Sequence, residues 1–283
     1  MSAEPVVVGV DGSEESLQAA EWAALEAERR VSPLRIVTVA AMPARMRAQP
    51  GPPHTVADEL QEYYAKAVEA AVTRVRQAAP GLDIDTATMS GPAALAIAQA
   101  SSGAALLVVG ARGVGGFTAL LLGSVSRYVA TNAPCPVVVV REQTDAVQHE
   151  IAVGVRDPQD YSPALEFAFE EAALHGAELV AVHSWHRFLP GFAGSATDTD
   201  GTDTLTRSLE ETLNGWRDKY PAVTVRPDVV RGHPAQVLAE YSTRAELVVI
   251  GRHGSGASPS IGSVQHAMLN HARGPVAIVG FES

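Results

Sequence analysis

The 283-residue chain contains a single cysteine, Cys135. No internal disulfide is therefore possible, which suits a reducing compartment. Positive charge is scarce: 21 Lys+Arg stand against 32 Asp+Glu, a net charge of −11. Such a chain lacks the electrostatic footprint of a nucleic-acid binder, and anionic lipid should repel it. It can still hold one small anion, because local backbone dipoles outweigh a distant net charge. No apolar run approaches the roughly 20 residues of a membrane helix. The start, MSAEPVVVGVDGS, has no basic segment ahead of its apolar stretch and does not read as a signal peptide. A soluble, cytoplasmic protein without nucleic-acid or membrane partners is expected. Aromatics make up 5% of the chain, and Trp22, Trp185 and Trp216 read as packing residues rather than a stacking platform. Also missing are the Gly-Lys-Ser/Thr of a P-loop, a Gly-x-Gly-x-x-Gly and the Gly-x-Ser-x-Gly of a hydrolase elbow.

What is present is a repeat. VVVGVDGSEESLQAAEWAALEA from Val6 resembles IAVGVRDPQDYSPALEFAFEEA from Ile151. AALLVVGARG from Ala104 resembles AELVVIGRHG from Ala245, and PCPVVVV from Pro134 resembles RGPVAIV from Arg273. The offsets run 145 (Gly9 to Gly154), 141 (Gly91 to Gly232 and Gly110 to Gly251) and 139 (Gly123 to Gly262 and Pro136 to Pro275). Order is kept while the second copy loses a few residues in two places, the signature of tandem domains. Two domains, 1–142 and 149–283, are expected, with the linker at 143–148 inside the polar segment REQTDAVQHE.

Within a copy, strand and helix patterns alternate. Val6–Val10 is a β-branched strand, and Leu17, Ala20, Ala24, Ala27 and Val31 mark a helix capped by Ser13. Leu34–Ala40, Asp83–Thr88, Leu106–Gly110 and Val137–Arg141 read as further strands. Val56–Ala79, Ala93–Ser101 and Leu120–Thr131 read as helices, and the proline-rich 42–55 as loop. Strands that are apolar along their whole length need helices on both faces. The fold expected is α/β: two tandem five-stranded, mostly parallel, doubly wound, Rossmann-like domains. Ligands bind such sheets beyond the carboxyl ends of the strands, where strand order reverses.

Two loops of the first copy lead out at such ends. Val10-Asp11-Gly12-Ser13 leaves the first strand. Gly110-Ala111-Arg112-Gly113-Val114-Gly115-Gly116 leaves the fourth and leads, nine residues past Gly113, to Gly123-Ser124-Val125. Glycines let backbone N–H groups approach an anion, a helix N-terminus favours negative charge, Ser124 brings a hydroxyl and Arg112 a cation. One Gly-x-x-Gly alone would only turn the chain; the second glycine cluster and the Asp make a phosphate cradle the better reading.

VVVGVDGS together with G-x2-G-x9-G-S resembles the universal stress protein family, in its tandem, two-domain, ATP-binding type. The likeness runs over nearly the whole chain. It implies an adenine-nucleotide site, with Gly9 and Asp11 at the adenosine and the backbone of Val39 and Ala40 at adenine. It implies Gly110–Gly116 around the phosphates, and Gly123, Ser124 and Val125 closing over phosphate and ribose. ATP, with or without Mg²⁺, is the implied cofactor. A stress-response or growth-arrest role, an internal pseudo-dimer of the two domains, a possible homodimer and a downstream protein partner are also implied.

The second copy departs from the pattern. Arg156 stands where the first has Asp11, with Asp157 shifted by one, and seven residues separate Gly254 from Gly262. Its corresponding site residues are Gly154, Ser184, Gly251, Arg252, His253, Gly254, Gly262, Ser263 and Val264, and the first copy is expected to be the better site. Arg has no acceptor for a ribose hydroxyl. His183-x-x-His186 reads as one structural and one solvated histidine rather than a metal site. Asp198-Thr-Asp200-Gly201 lacks the carboxylates of a calcium loop at its first and twelfth positions and reads as a disordered acidic loop. Neither glycine loop, 110–123 or 251–262, contains an Asp or Glu. That counts against an enzyme and points to a regulatory binding module without catalytic residues; a slow ATPase and a non-nucleotide-binding scaffold with vestigial glycines are the alternatives.

Overall fold

The computed structural model describes residues 3–40, 54–113, 122–141, 148–157, 163–185, 198–252 and 262–280. The chain divides into two compact units, Met1–Glu142 and, in the second, Gln143–Ser255 with Ile261–Ser283.

The first unit runs β1 (Val6–Gly9), α1 (Glu14–Arg29), β2 (Leu34–Ala40), α2 (His54–Ala78), β3 (Ile84–Ser90), α3 (Ala93–Ala100), β4 (Leu106–Gly110), α4 (Ser124–Asn132) and β5 (Val137–Val140). Its strands lie in the order β3-β2-β1-β4-β5, every pair parallel. β1 is flanked by β2 on one side and β4 on the other. Strand order therefore reverses between β1 and β4, and Gly9 lies level with Val109 there. The sheet core is fully buried: Val6, Val7, Val8, Leu34, Ile36, Leu106, Leu107 and Val137–Val139 are all at 0% exposure. Burying each such side chain is worth about 1.5–3 kcal/mol. Helix α1 presents Ala19, Ala20, Ala23, Ala24 and Ala27 inward. These small side chains let the helix pack close to the sheet, with Trp22 and Glu26 buried beside them. Ser13 caps it, accepting from the Ser16 N–H at 3.2 Å, with Glu14 and Glu15 in the first turn where the helix dipole favours them.

The second unit repeats the plan with β6 (Gln148–Gly154), α5 (Pro163–His175), β7 (Glu178–Trp185), α6 (Asp198–Lys219), β8 (Val225–Arg231), α7 (Pro234–Tyr241), β9 (Ala245–Gly251), α8 (Ser263–His271) and β10 (Val276–Val279). The order is β8-β7-β6-β9-β10, again all parallel. Here the reversal falls between β6 and β9. β6 begins at Gln148, one residue ahead of the expected domain start, because the Gln148 N–H is already bonded to the Arg244 carbonyl at 2.7 Å.

Three local readings need correction. The fourth helix of the first unit begins at Ser124 rather than Leu120, with Gly123 as its extended N-cap. Leu122 is buried but precedes the helix, so its apolar character reflects packing, not helical period. The acidic segment at Asp198 is helical, not disordered. The stripe Leu209, Leu213 and Trp216, all at 0% exposure, anchors α6, and an acidic start suits a helix N-terminus. Val31 belongs to no helix face. It lies beyond the end of α1 at φ 52 and is 86% exposed. Among the described residues no helix is long and apolar enough to cross a membrane.

Candidate functional site

The turn after β1 is organised by its own side chains. Asp11 Oδ1 accepts from the Ser13 N–H at 3.0 Å and from the Ser13 hydroxyl at 2.6 Å. The Asp11 N–H reaches Ser16 Oγ at 3.3 Å, and Ser16 Oγ donates to the Ser13 carbonyl at 2.8 Å. From α2, the Tyr63 hydroxyl donates to the Asp11 carbonyl at 2.9 Å. Burial, then the Asp11 charge, push the Tyr63 pKa up. Asp11 itself is half-buried, in a turn held by these bonds.

The second Asp11 oxygen meets the other loop. Gly113 follows β4 by three residues, and a Cβ there would collide with Asp11 Oδ2. Gly110, at the end of β4, lies against the first turn of α1: a Cβ would stand 2.7 Å from the Glu15 carbonyl oxygen. These two glycines are what bring the strand-four loop up to the strand-one turn. The loop is then closed on itself. The Gly123 N–H donates to the Ala111 carbonyl at 2.8 Å, and the buried Ser126 hydroxyl donates to the Gly110 carbonyl at 2.7 Å. The Ala111 N–H continues the sheet ladder to Val140 at 2.9 Å.

Charge is paired across the mouth. The Arg112 guanidinium contacts the Glu15 carboxylate at 3.2 Å. Arg141, following β5, is half-buried; burial and the neighbouring Arg112 cation pull its pKa down.

Most of the expected first-unit residues thus converge on one place. Gly9, Asp11, Gly110, Ala111, Arg112, Gly113, Gly123, Ser124 and Val125 lie on the carboxyl ends of β1 and β4 and the start of α4. Val39 is buried and Ala40 half-buried at the end of β2, next to β1. Val114, Gly115 and Gly116 lie outside the described residues. Sequence reading missed Tyr63, Ser126 and Arg141. Ser126 had a usable signal, three residues past a capping glycine; Tyr63 comes from a distant helix and had none.

In the second unit, Gly154 ends β6 under Leu238, whose Cδ1 would lie 2.9 Å from a Cβ. Arg156 and Asp157 are exposed. At Gly251 a Cβ would meet, among the described residues, Ala164 alone, at an ordinary 3.7 Å, so no described backbone enforces this glycine. Gln265, at the position of Ser126, reaches the Gly251 carbonyl at 2.6 Å, while its own oxygen takes the Gly262 N–H at 2.9 Å. Ser263 and Val264 open α8, and the Arg252 N–H donates to the Val279 carbonyl at 2.6 Å. Ser184 is half-buried next to Trp185. Trp185 stands at the strand position that Ala40 holds in the first unit, with the Arg231 guanidinium 6.0 Å from its ring centroid. His183 is buried, its Nδ1 2.9 Å from the Val155 carbonyl; a carbonyl only accepts, so Nδ1 carries the proton. The expected structural role of this histidine fits that bond. His186, His253 and Gly254 lie outside the described residues.

The model of the universal stress protein family matches residues 3–141 and 149–280. Universal stress protein Rv2005c of Mycobacterium tuberculosis is 37% identical over 96% of both chains. A universal stress protein of Mycolicibacterium smegmatis is 36% identical over 97% of this chain and 96% of its own. Among solved structures, a universal stress protein from Archaeoglobus fulgidus shares the fold with a TM-score of 0.71 at 20% identity, covering 99% of this chain and 98% of its own. Two matched domains in one chain, each a doubly wound sheet with its glycine loops at the strand-order reversal, agree with that assignment. The chain belongs to the universal stress protein family as a tandem of two such domains.

Proposed function

We propose that the first domain, residues 1–142, is a regulatory adenine-nucleotide-binding module that holds ATP between the carboxyl ends of β1 and β4. The observation that carries this reading is the meeting of Asp11 Oδ2 with Gly113. It brings an acceptor suited to ribose hydroxyls against the start of the glycine loop suited to phosphate. Adenine would lie along the backbone of Val39 and Ala40, and the Gly123 end would close over the phosphates. The donor set fits the group: a carboxylate at the nucleoside end, main-chain amides and Arg112 at the phosphate end. When bound, Mg²⁺ would be held by the phosphates themselves, since the loop from Gly110 to Gly123 carries no Asp or Glu.

The same lack favours binding over catalysis. Asp11 is engaged with Ser13 and in this reading stands at the nucleoside end, so it is not positioned as a general base for water attacking the terminal phosphate. The second domain, 149–283, serves as a degenerate copy: an indole replaces Ala40 and an arginine replaces Asp11. The test is mass spectrometry of ligand released from freshly purified, denatured protein, followed by ATP titration of wild type and Asp11→Ala. One adenine nucleotide per chain, lost in the variant, is the expected result. An unchanged affinity in Asp11→Ala sinks the site assignment. Multiple turnover near about 1 per second or faster sinks the binding-module reading in favour of an ATPase.

A further inference from the structure

We propose that Glu15 is an internal competitor for Arg112, so that the site grades adenine nucleotides by the number of their phosphates. The inference rests on the nucleotide reading above and deepens it.

The geometry is local to the first unit. Gly110 and Val140 are register partners at the ends of β4 and β5, and the ladder extends one step further through the Ala111 N–H. Arg112 and Arg141 therefore leave adjacent strand ends, and their like charges act on one another. Two cations at neighbouring strand ends, one of them half-buried, make a negative charge nearby favourable. In the protein alone Arg112 meets the carboxylate of Glu15 at 3.2 Å, with the two side chains 45% and 31% exposed. Close packing of Gly110 on the Glu15 backbone brings the start of α1 up to the end of β4, within reach of Arg112. Glu15 thus supplies, from inside the chain, the negative charge that a terminal phosphate would bring.

A guanidinium binds phosphate oxygens in the same fork geometry as carboxylate oxygens. A nucleotide long enough to reach Arg112 must displace Glu15 and then sits beside its freed charge. A nucleotide whose phosphate stops at the Gly113 amides meets neither cost. An exposed pair of this kind is weak, so the exchange lies within reach of one phosphate group. The ion pair lowers ATP affinity without blocking it, and it acts on ATP more than on ADP and least on AMP.

The experiment titrates ATP, ADP and AMP into the full chain by calorimetry, using wild type, Glu15→Gln, Arg112→Ala and the double variant. Glu15→Gln should tighten ATP by about fivefold and AMP by less than about twofold. Arg112→Ala should weaken ATP selectively and compress the ATP-to-AMP ratio. In the double variant the gain from Glu15→Gln should vanish, because the competitor then has nothing to compete for. Equal changes for all three nucleotides, or a gain that persists without Arg112, overturn the inference while leaving the site intact. A chain that binds none of the three overturns the nucleotide reading and this inference together. Unchanged melting temperatures of the variants establish that the comparison is between folded proteins.

Discussion

The Asp11 carboxylate lies directly over the α-carbon of Gly113, so the turn after β1 and the loop after β4 are in contact through one side-chain oxygen. No other residue type fits at position 113 without moving Asp11, whose other oxygen is held by Ser13. Gly113→Ala should therefore displace the carboxylate or the loop. Overpacking of this kind costs about 1–3 kcal/mol. Because the strain falls on the site itself, ATP affinity should drop by roughly tenfold or more. Gly81→Ala is the control, since a Cβ there meets nothing within 4 Å. Paired titrations check it: a Gly113→Ala protein that binds like Gly81→Ala removes the steric argument. Asp11→Asn should keep the Ser13 contacts yet lose the charge, and should fall between wild type and Asp11→Ala.

Much of this was legible in the residues. The valine runs of β1, β4 and β5 could only be strands covered on both faces, and the constant offsets between Gly9, Gly110 and their partners required two copies of one unit. Asp11 and the strand-end glycines were readable as a site because few other roles need a carboxylate and a glycine series at those ends. Contacts that join distant segments were not readable. Tyr63 reaches Asp11 from 52 residues away, and nothing in its local pattern says so. Arg112 was visible as a cation, but its pairing with Glu15 depends on how closely α1 approaches Gly110. The helix at Asp198 was hidden because its acidic start resembles a solvated loop, while the packing that holds it lies further on at Leu209, Leu213 and Trp216.

The end of α1 carries a correctable defect. Val31 adopts φ 52, a conformation that β-branched residues tolerate poorly. Its counterpart at the end of α5 is Gly176, at φ 65. Val31 is 86% exposed, so removing its side chain forfeits no burial. The relief of about 1–2 kcal/mol is partly offset by the greater freedom of glycine in the unfolded chain. Val31→Gly should stabilise the protein by about 0.5–1 kcal/mol, a rise of about 1–3 °C in melting temperature. A scanning-calorimetry trace with no rise, or a fall, contradicts the strain argument.

Ser126 braces the cradle from beneath. Its buried hydroxyl donates to the Gly110 carbonyl at 2.7 Å. Ser126→Ala leaves that carbonyl short of a partner, which costs about 1–3 kcal/mol. Thermal unfolding should shift downward, and ATP affinity should fall as the strand end loosens. Gln265→Ala is the matched change in the second unit, where the Gly251 carbonyl loses its donor. It should destabilise comparably while leaving ATP binding unchanged, if the first domain alone holds nucleotide. Nucleotide titration of the two variants side by side separates a local from a global effect.

The second unit should also show an alkaline limb of stability that traces to one phenol. Tyr241, on α7, is buried and donates its hydroxyl to Asp228 on β8. Burial foremost, then the bond to Asp228 and its charge, raise the Tyr241 pKa to about 12. The Arg244 guanidinium, 4.1 Å from the ring centroid, opposes this without reversing it. In the unfolded chain the phenol ionises near its ordinary value of about 10. The folded pKa is thus the higher of the two. The stabilisation is complete below about pH 10 and is lost as pH rises toward 12, because the unfolded state releases its proton first. Tyr241→Phe should be less stable than wild type at pH 8, by about 1 kcal/mol for the missing hydrogen bond. The gap between the two proteins should then narrow steadily from pH 10 upward. Urea denaturation from pH 8 to 11.5 measures it, and a gap that stays constant or widens would show that the phenol is not protonated and bonded in the folded protein.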